Sequence, residues 1–175
     1  MTITMARRRE GAKDLHLVAV DPRGADAQRL LAALTAEIAA LYADRGQDGT
    51  GGFALADVEV PRAVFVVAYA GGEPVGCGAL RPYEHDIAEV KRMYTVPRWR
   101  GHGVAAAVLT ELERQARAFG YPTLRLETGD RQDGAIRLYE RGGYRHIPSF
   151  GSYVAWDDSV CFEKPLTPTS EPLDY

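Results

Sequence analysis

The run Val96-Pro97-Arg98-Trp99-Arg100-Gly101-His102-Gly103-Val104 constrains this chain more than any other stretch. A strand-like apolar segment ends at a proline, which cannot donate to a sheet ladder. A short basic loop with two glycines follows, and an alanine-rich helical pattern begins at once. The first turn of such a helix leaves backbone N–H groups unpaired and carries a partial positive charge. Gly101 and Gly103 accept positive φ and let an anion approach the backbone without meeting a Cβ. These features suit a phosphate or pyrophosphate. Arg98 and Arg100 would add charge-assisted contacts of about 1.5–3 kcal/mol each when well formed. The plainer reading is a strand-to-helix turn whose glycines serve geometry and whose arginines serve solubility. Two familiar phosphate loops are excluded. The pattern G-x-x-x-x-G-K-S/T is absent. Gly101-x-Gly103 has Ala106 where a dinucleotide fingerprint needs a third glycine, and it follows the fourth strand rather than the first.

The basicity is local. The 175 residues carry 21 Lys and Arg against 24 Asp and Glu, a net charge of −3, yet Val90 to Thr110 holds Lys91, Arg92, Arg98 and Arg100 with no acid. An acidic total argues against nucleic acid as a partner spread over the surface, which needs excess cation. No apolar run approaches the ~20 residues that span a bilayer, so no membrane role is expected. The start, Met1 to Arg9, has charge without an apolar region behind it, unlike a secretory signal. Cys77 and Cys161 sit in apolar, strand-like runs and read as reduced, buried thiols of a cytoplasmic protein. His16, His85, His102 and His146 show no ligand spacing with each other or with the cysteines, so no metal is expected.

Along the chain, residues 1–14 read as a disordered lead and 169–175 as a tail, leaving 15–168 as one domain. Leu15 to Val20 predicts a strand. Asp26 to Tyr42 predicts a helix, with Leu30, Leu34, Ile38, Leu41 and Tyr42 on its apolar face. Ala63 to Tyr69 and Pro74 to Leu80 are strands joined by a two-residue Gly71-Gly72 hairpin. Ile87 to Val96 is a strand, and Gly103 to Phe119 a helix burying Val104, Val108, Leu112 and Ala116. Thr123 to Thr128 is a strand, Gln132 to Arg141 a helix stopped by Gly142-Gly143, and Tyr144 to Ile147 and Ser159 to Lys164 are the final strands. The order βα-ββ-βα-βα-ββ is an α/β domain with one mixed central sheet of six or seven strands flanked by helices.

Three stretches together resemble the GNAT superfamily of N-acetyltransferases, as a small single-domain bacterial-type member. Arg98-x-x-Gly101-x-Gly103 matches the family's acetyl-CoA pyrophosphate loop: Arg or Gln, two residues, Gly, one residue, then Gly or Ala. Glu89-Val-Lys-Arg-Met-Tyr-Thr-Val96 precedes it, and Gln132-x-x-Ala135-Ile-x-Leu138-Tyr139-Glu140-x-x-Gly143-Tyr144 follows. The resemblance covers residues 63–166, and 15–42 more loosely. It implies a mostly antiparallel sheet whose fourth and fifth strands, Ile87–Val96 and Thr123–Thr128, splay apart around the pantetheine arm. It also implies a bulge near Met93–Thr95 that frees a backbone N–H for the thioester carbonyl. The co-substrate, acetyl-CoA or CoA, would touch Met93, Tyr94 and Val96. Its pyrophosphate would lie on Arg98, Arg100, Gly101, His102, Gly103, Val104 and Ala105, with Gln132 in the place of the family's usual Asn. Tyr139 corresponds to the general acid that protonates the departing thiolate. A phenol holds its proton at neutral pH, as this role needs; packing against Ile136 and Leu138 is the alternative.

A base for the incoming amine is also required. Glu89 is the nearest carboxylate, with a salt bridge to Lys91 or Arg92 as its structural alternative, and Glu127 is a second candidate. Tyr94, Trp99, Phe150 and Tyr153 could shape the acceptor pocket or belong to the core. The segments 42–61 and 148–159 would wall the acceptor with Asp44, Asp48, Asp57, Glu59, Asp157 and Asp158 against Arg45. That suits a cationic amine, unless these are solvated loop charges. The function implied is acetyl-CoA-dependent transfer to an amine within a ternary complex. A non-catalytic acyl-CoA sensor, or transfer of another acyl group, are the alternatives. Ser159 to Leu166 could pair internally or across a homodimer.

Overall fold

The computed structural model describes residues 14–167; the expected lead, apart from Asp14, and the tail lie outside the described residues. In chain order the elements are β1 (Leu15–Ala19), α1 (Ala25–Leu41), β2 (Val64–Ala70), β3 (Glu73–Glu84), β4 (Ile87–Thr95), α2 (Val104–Ala118), β5 (Thr123–Gly129), α3 (Asp133–Arg141), β6 (Arg145–Ile147) and β7 (Ser159–Pro165). They form one seven-stranded sheet in the order β1-β2-β3-β4-β5-β7-β6. Only the β4–β5 pair is parallel. The mixed, mostly antiparallel sheet expected from the sequence is the one observed.

β2 shows why helices cover both faces. Its side chains alternate, so Val66 and Ala68 enter the core beneath Val104, Val108 and Leu112 of α2. Phe65 and Val67 point the other way, to Ala27, Leu30, Leu31 and Leu34 of α1. All four β2 residues are fully buried, which is why the strand reads as a continuous apolar run. The Gly71-Gly72 turn has φ of 55° and 80°, the left-handed pair that a two-residue hairpin requires. Val104, Val108, Leu112 and Ala116 form the buried stripe of α2 as expected.

α1 corrects one expectation. Leu41 is 39% exposed, because the helix ends there and the chain turns into a 3-10 helix at Ala43–Arg45. Tyr42 carries the burial instead, and its hydroxyl accepts the Arg131 backbone N–H at 2.9 Å. β3 also runs beyond Leu80 to Glu84. Pro82 is accommodated where the β3–β4 register shifts between Pro82 and Glu84. Cys77 and Cys161 are buried and unpaired. No helix among the described residues is long and apolar enough to cross a membrane.

The feature that positions the site is the parting of β4 and β5. Their ladder runs from Ile87↔Thr123 to Val90↔Leu126 and stops, although β4 continues to Thr95 and β5 to Gly129. A bulge accompanies the parting: Cys77 pairs with Tyr94 and Ala79 with Lys91, so Gly78 alone opposes Arg92 and Met93. Arg92 takes φ of 55°. The bulge therefore begins one residue earlier than expected, at Arg92. Glycine on β3 makes room for it. A Cβ on Gly76 would lie 2.9 Å from the Tyr94 backbone oxygen and 2.6 Å from Val104 Cγ1. The backbone contact cannot relax as a side chain can, so Gly76→Ala is expected to destabilise the fold by about 1–3 kcal/mol, measured by urea denaturation. An unchanged midpoint would show that the bulge tolerates a methyl group there.

Candidate active site

Two cavities, of about 820 and 770 Å³, adjoin where β4 and β5 part. Leu34, Ile38, Met93, Gln132, Ala135 and Tyr139 line both. The smaller one reaches the start of α2. Gly101 and Gly103 have φ of 78° and 80°, and Gly103 is an N-cap with no side-chain cap. The first intrahelical bond runs from Ala107 N–H to Gly103 O, so the amides of Val104, Ala105 and Ala106 lack helical partners. Thr95 Oγ1, in the same wall, is buried without a partner among the described residues. Unpaired donors at a helix start, beside a strand whose outer residues have lost their ladder, are what an extended diphosphate-bearing molecule would use.

Of the residues expected on that molecule, Met93, Tyr94, Arg100, Gly101, Gly103, Val104, Ala105, Gln132 and Tyr139 line the smaller cavity. Three expected there do not. Arg98 is exposed and ion-paired with Glu73. Val96 packs in the α1-side core, with its N–H on Val75 O. His102 stacks edge-on to Trp99 and contacts Arg100 O. Arg100 spends its guanidinium on Glu37 and on Thr95 O. The cations this cavity gains instead are Arg131, Arg137 and Arg141. The four-residue spacing of Arg137 and Arg141 on one helix was the available signal.

The larger cavity holds the groups suited to proton transfer. Tyr139 is buried edge-on to Tyr144, with ring centres 5.8 Å apart. Burial, and then the nearby Glu127 carboxylate, push its phenol above the usual value, so it keeps its proton. Glu127 is half-buried and accepts a hydrogen bond from Ser159 Oγ at 3.0 Å. Burial raises its pKa above the ordinary carboxylate value, against the lowering effect of Lys91.

Glu89 is a different case. It is 1% exposed and lines neither cavity. Arg81, its cross-strand partner, donates Nε and Nη2 to Oε2 at 3.0 and 2.9 Å. The Tyr153 hydroxyl donates to Oε1. Arg81 also reaches Asp57 at 2.6 Å. The ion pair anticipated with Lys91 or Arg92 is therefore made chiefly with Arg81, and Glu89 does not face the larger cavity but connects to it through the Lys91–Tyr153–Glu89 chain of hydrogen bonds. Tyr153 and Phe150 belong to a small core cluster with Cys161. Trp156, which the sequence did not single out, lines the larger cavity.

The acidic wall is mostly neutralised. Asp44 pairs with Arg131, Asp57 with Arg81, Glu59 with Arg23, and Asp158 with Arg45. Asp48 accepts only from Thr50 of its own loop. Of the six acids, Asp48, Asp157 and Asp158 line the larger cavity. Among the described residues, no group of three or more His, Cys, Asp and Glu is placed to hold a metal ion.

Residues 34–144 match the model of the acetyltransferase (GNAT) family. The chain is 40% identical over 107 residues to an IAA acetyltransferase of Azospirillum brasilense, covering 61% of this chain and 70% of that one. A Klebsiella pneumoniae structure, provisionally described as an acyl-CoA N-acyltransferase, is 33% identical. It superposes with a TM-score of 0.71 over 87% of this chain and 98% of its own. A GNAT family acetyltransferase from Elizabethkingia anophelis with acetyl-CoA bound shares the fold at a TM-score of 0.64 and 16% identity, over 89% of this chain and all of that one.

The Glu89 geometry makes a measurable statement. Breaking one side of a buried ion pair leaves the other charge uncompensated. Glu89→Gln is expected to lower the unfolding free energy by about 3 kcal/mol while turnover per folded molecule persists. A stable Glu89→Gln protein with turnover abolished would restore the carboxylate to the reaction.

Proposed function

The chain belongs to the GNAT acetyltransferase family, and on that premise we propose that it transfers the acetyl group of acetyl-CoA to a primary amine by direct attack within a ternary complex. The observation that carries this reading is one continuous path: an uncapped helix start, the parted strands, and a cavity shared by Tyr139 and Glu127. The acyl donor supplies a thioester, whose carbonyl is the electrophile.

The amides of Val104 to Ala106 hold the diphosphate of the donor, together with the glycine-opened backbone at Gly101 and Gly103. Thr95 and the unladdered part of β4 take the amide-bearing arm, and the bulge at Arg92–Met93 turns a backbone N–H towards the thioester oxygen. Gln132 lines both cavities and orients the arm at the junction. Glu127 takes a proton from the acceptor ammonium, directly or through one water, and frees its lone pair. The C–N bond forms and the C–S bond breaks. Tyr139 passes its proton to the departing sulfur and is reprotonated by the proton that the nitrogen sheds on becoming an amide. One proton leaves to solvent in each turnover. The raised Glu127 pKa makes its carboxylate a stronger base than an ordinary one, and the raised Tyr139 pKa keeps the proton on the acid. Asp48 and Asp157 add negative potential that draws the ammonium form.

Tyr139→Phe is expected to lower kcat about 100-fold in a thiol-release assay, with acetyl-CoA still raising the melting temperature. Full activity in that variant would remove Tyr139 from the reaction. The second measurement is a pH profile. Activity falls as pH drops through the raised Glu127 value, because a protonated carboxyl accepts nothing, and Glu127→Gln should lose that limb along with most of kcat. A limb that survives in Glu127→Gln assigns the base elsewhere. Thermal stabilisation by acetyl-CoA without turnover of any amine would make the domain a sensor.

A further inference from the structure

Two neighbouring cations on β4 take no part in that reaction and are poorly neutralised. Arg92, at the bulge, lines the larger cavity and donates only to neutral oxygens. These are Gly49 O at 3.0 Å, Thr50 O at 2.9 Å and Thr35 Oγ1 at 2.8 Å. Its Nε is buried with no partner among the described residues. Lys91 lines the same cavity with a side chain only 5% exposed. It donates to Gly51 O at 2.9 Å and to the Tyr153 hydroxyl at 2.7 Å. The Glu89 carboxylate lies 3.9 Å away and is already held by Arg81. Buried charges in folded proteins are paired, since isolated ones are expensive. Here a buried lysine and a half-buried arginine lie side by side, donating to neutral oxygens, with Glu127 as the carboxylate acting on Lys91 from the adjacent strand.

Both charged heads converge on one point. A Cβ on Gly51 would lie 3.7 Å from Arg92 Nη1 and 3.8 Å from Lys91 Nζ, with no other non-neighbouring atom within 4 Å. Because Gly51 has no side chain, a notch remains between the two cations. Lys91 and Glu127 each follow the last residue of the β4–β5 ladder, Val90 and Leu126. The notch and the proposed base therefore sit on adjacent strands at the same level, within reach of two ends of one small molecule.

We infer that the acceptor is an amino acid-like molecule, whose free carboxylate sits between Arg92 and Lys91 while its amino group faces Glu127. This rests on the acetyl-transfer reading above and names its substrate class. A diamine would set a second positive charge against the two cations. A lysine side chain within a peptide has no carboxylate beside its amine. A guanidinium beside an ammonium sets two positive charges against one carboxylate, with the Arg92 Nε–H, unpartnered among the described residues, and the third Lys91 N–H left to donate.

The test uses standard amino acids, their carboxamides and their decarboxylated amines as matched acceptors, with the full chain, acetyl-CoA and thiol release. At least one amino acid should exceed both of its analogues in kcat/KM by about 10- to 100-fold, the range of charge-assisted bonds, mainly through KM. That ratio should fall below about threefold in Arg92→Gln and in Lys91→Met, and Arg92→Lys should recover part of it. The ratio is taken within each protein, so partial unfolding cancels. If Arg92→Gln does not fold, Lys91→Met and Arg92→Lys carry the same comparison. Carboxamides or amines that match the acids overturn the inference, as does failure of every amino acid to react, or a ratio that survives in the folded variants. Acetyl-CoA stabilisation, read in parallel by melting temperature, separates the two levels. Intact donor binding with no acid preference removes this inference alone, whereas absent donor binding removes the transfer reading beneath it.

Discussion

Backbone pairing between β4 and β5 ends at Val90 and Leu126, and the bulge at Arg92 is what ends it. An extra residue in a strand bends it and increases its twist, so the two strands leave each other while both remain anchored in the sheet. Polar backbone groups beyond that point have lost their natural partners, and buried polar groups without partners are costly. The fold leaves cavities at this interval rather than filling it. Gly76 and Gly78 on β3, the short Val96–Gly103 connection and the uncapped start of α2 are each placed by the same divergence. A parallel neighbour requires a crossover, and the crossover helix α2 brings its N-terminus to the mouth of the gap.

The same boundary separates two carboxylates that look alike in the sequence. Glu89 lies inside the ladder, opposite Arg81, and is locked by a fork of hydrogen bonds and by Tyr153. Glu127 lies one residue past the last β4–β5 pair, level with Lys91 but outside the ladder. Burial outweighs the nearby Lys91 charge and raises its affinity for a proton, which is the property a base needs. Position relative to the end of pairing, more than distance along the chain, decides which acid is locked in an ion pair and which lines the larger cavity.

Much of the architecture was legible because it is written locally. Gly71-Gly72, Pro97, Gly120 and Gly142-Gly143 punctuate the chain, and the four-residue recurrence in α2 identifies its buried stripe. The Arg98–Gly103 and Gln132–Tyr144 patterns led to the right family. What local spacing cannot carry is the choice of ionic partner. Nothing in the spacing around Arg98 points to its ion pair with Glu73, or in that around Arg100 to its pair with Glu37, 63 residues away. The structural alternative for Glu89, a salt bridge to Lys91 or Arg92 on the same or a neighbouring strand, names the wrong main partner, because that partner depends on the β3–β4 register. That register was hidden because Pro82 made β3 look shorter than it is. Leu41 failed for a geometric reason: the apolar stripe passes to Tyr42 as the helix ends.

The loop over the larger cavity is held by its main chain. The carbonyls of Gly49, Thr50 and Gly51 bind the side chains of Arg92 and Lys91, so this part of the wall does not depend on which side chains the loop displays. Those side chains, and with them the shape of the cavity wall, can therefore change while the strand that grips the loop and the uncapped start of α2 stay unchanged. A scaffold tied down in this way can diversify its diet without relearning its chemistry.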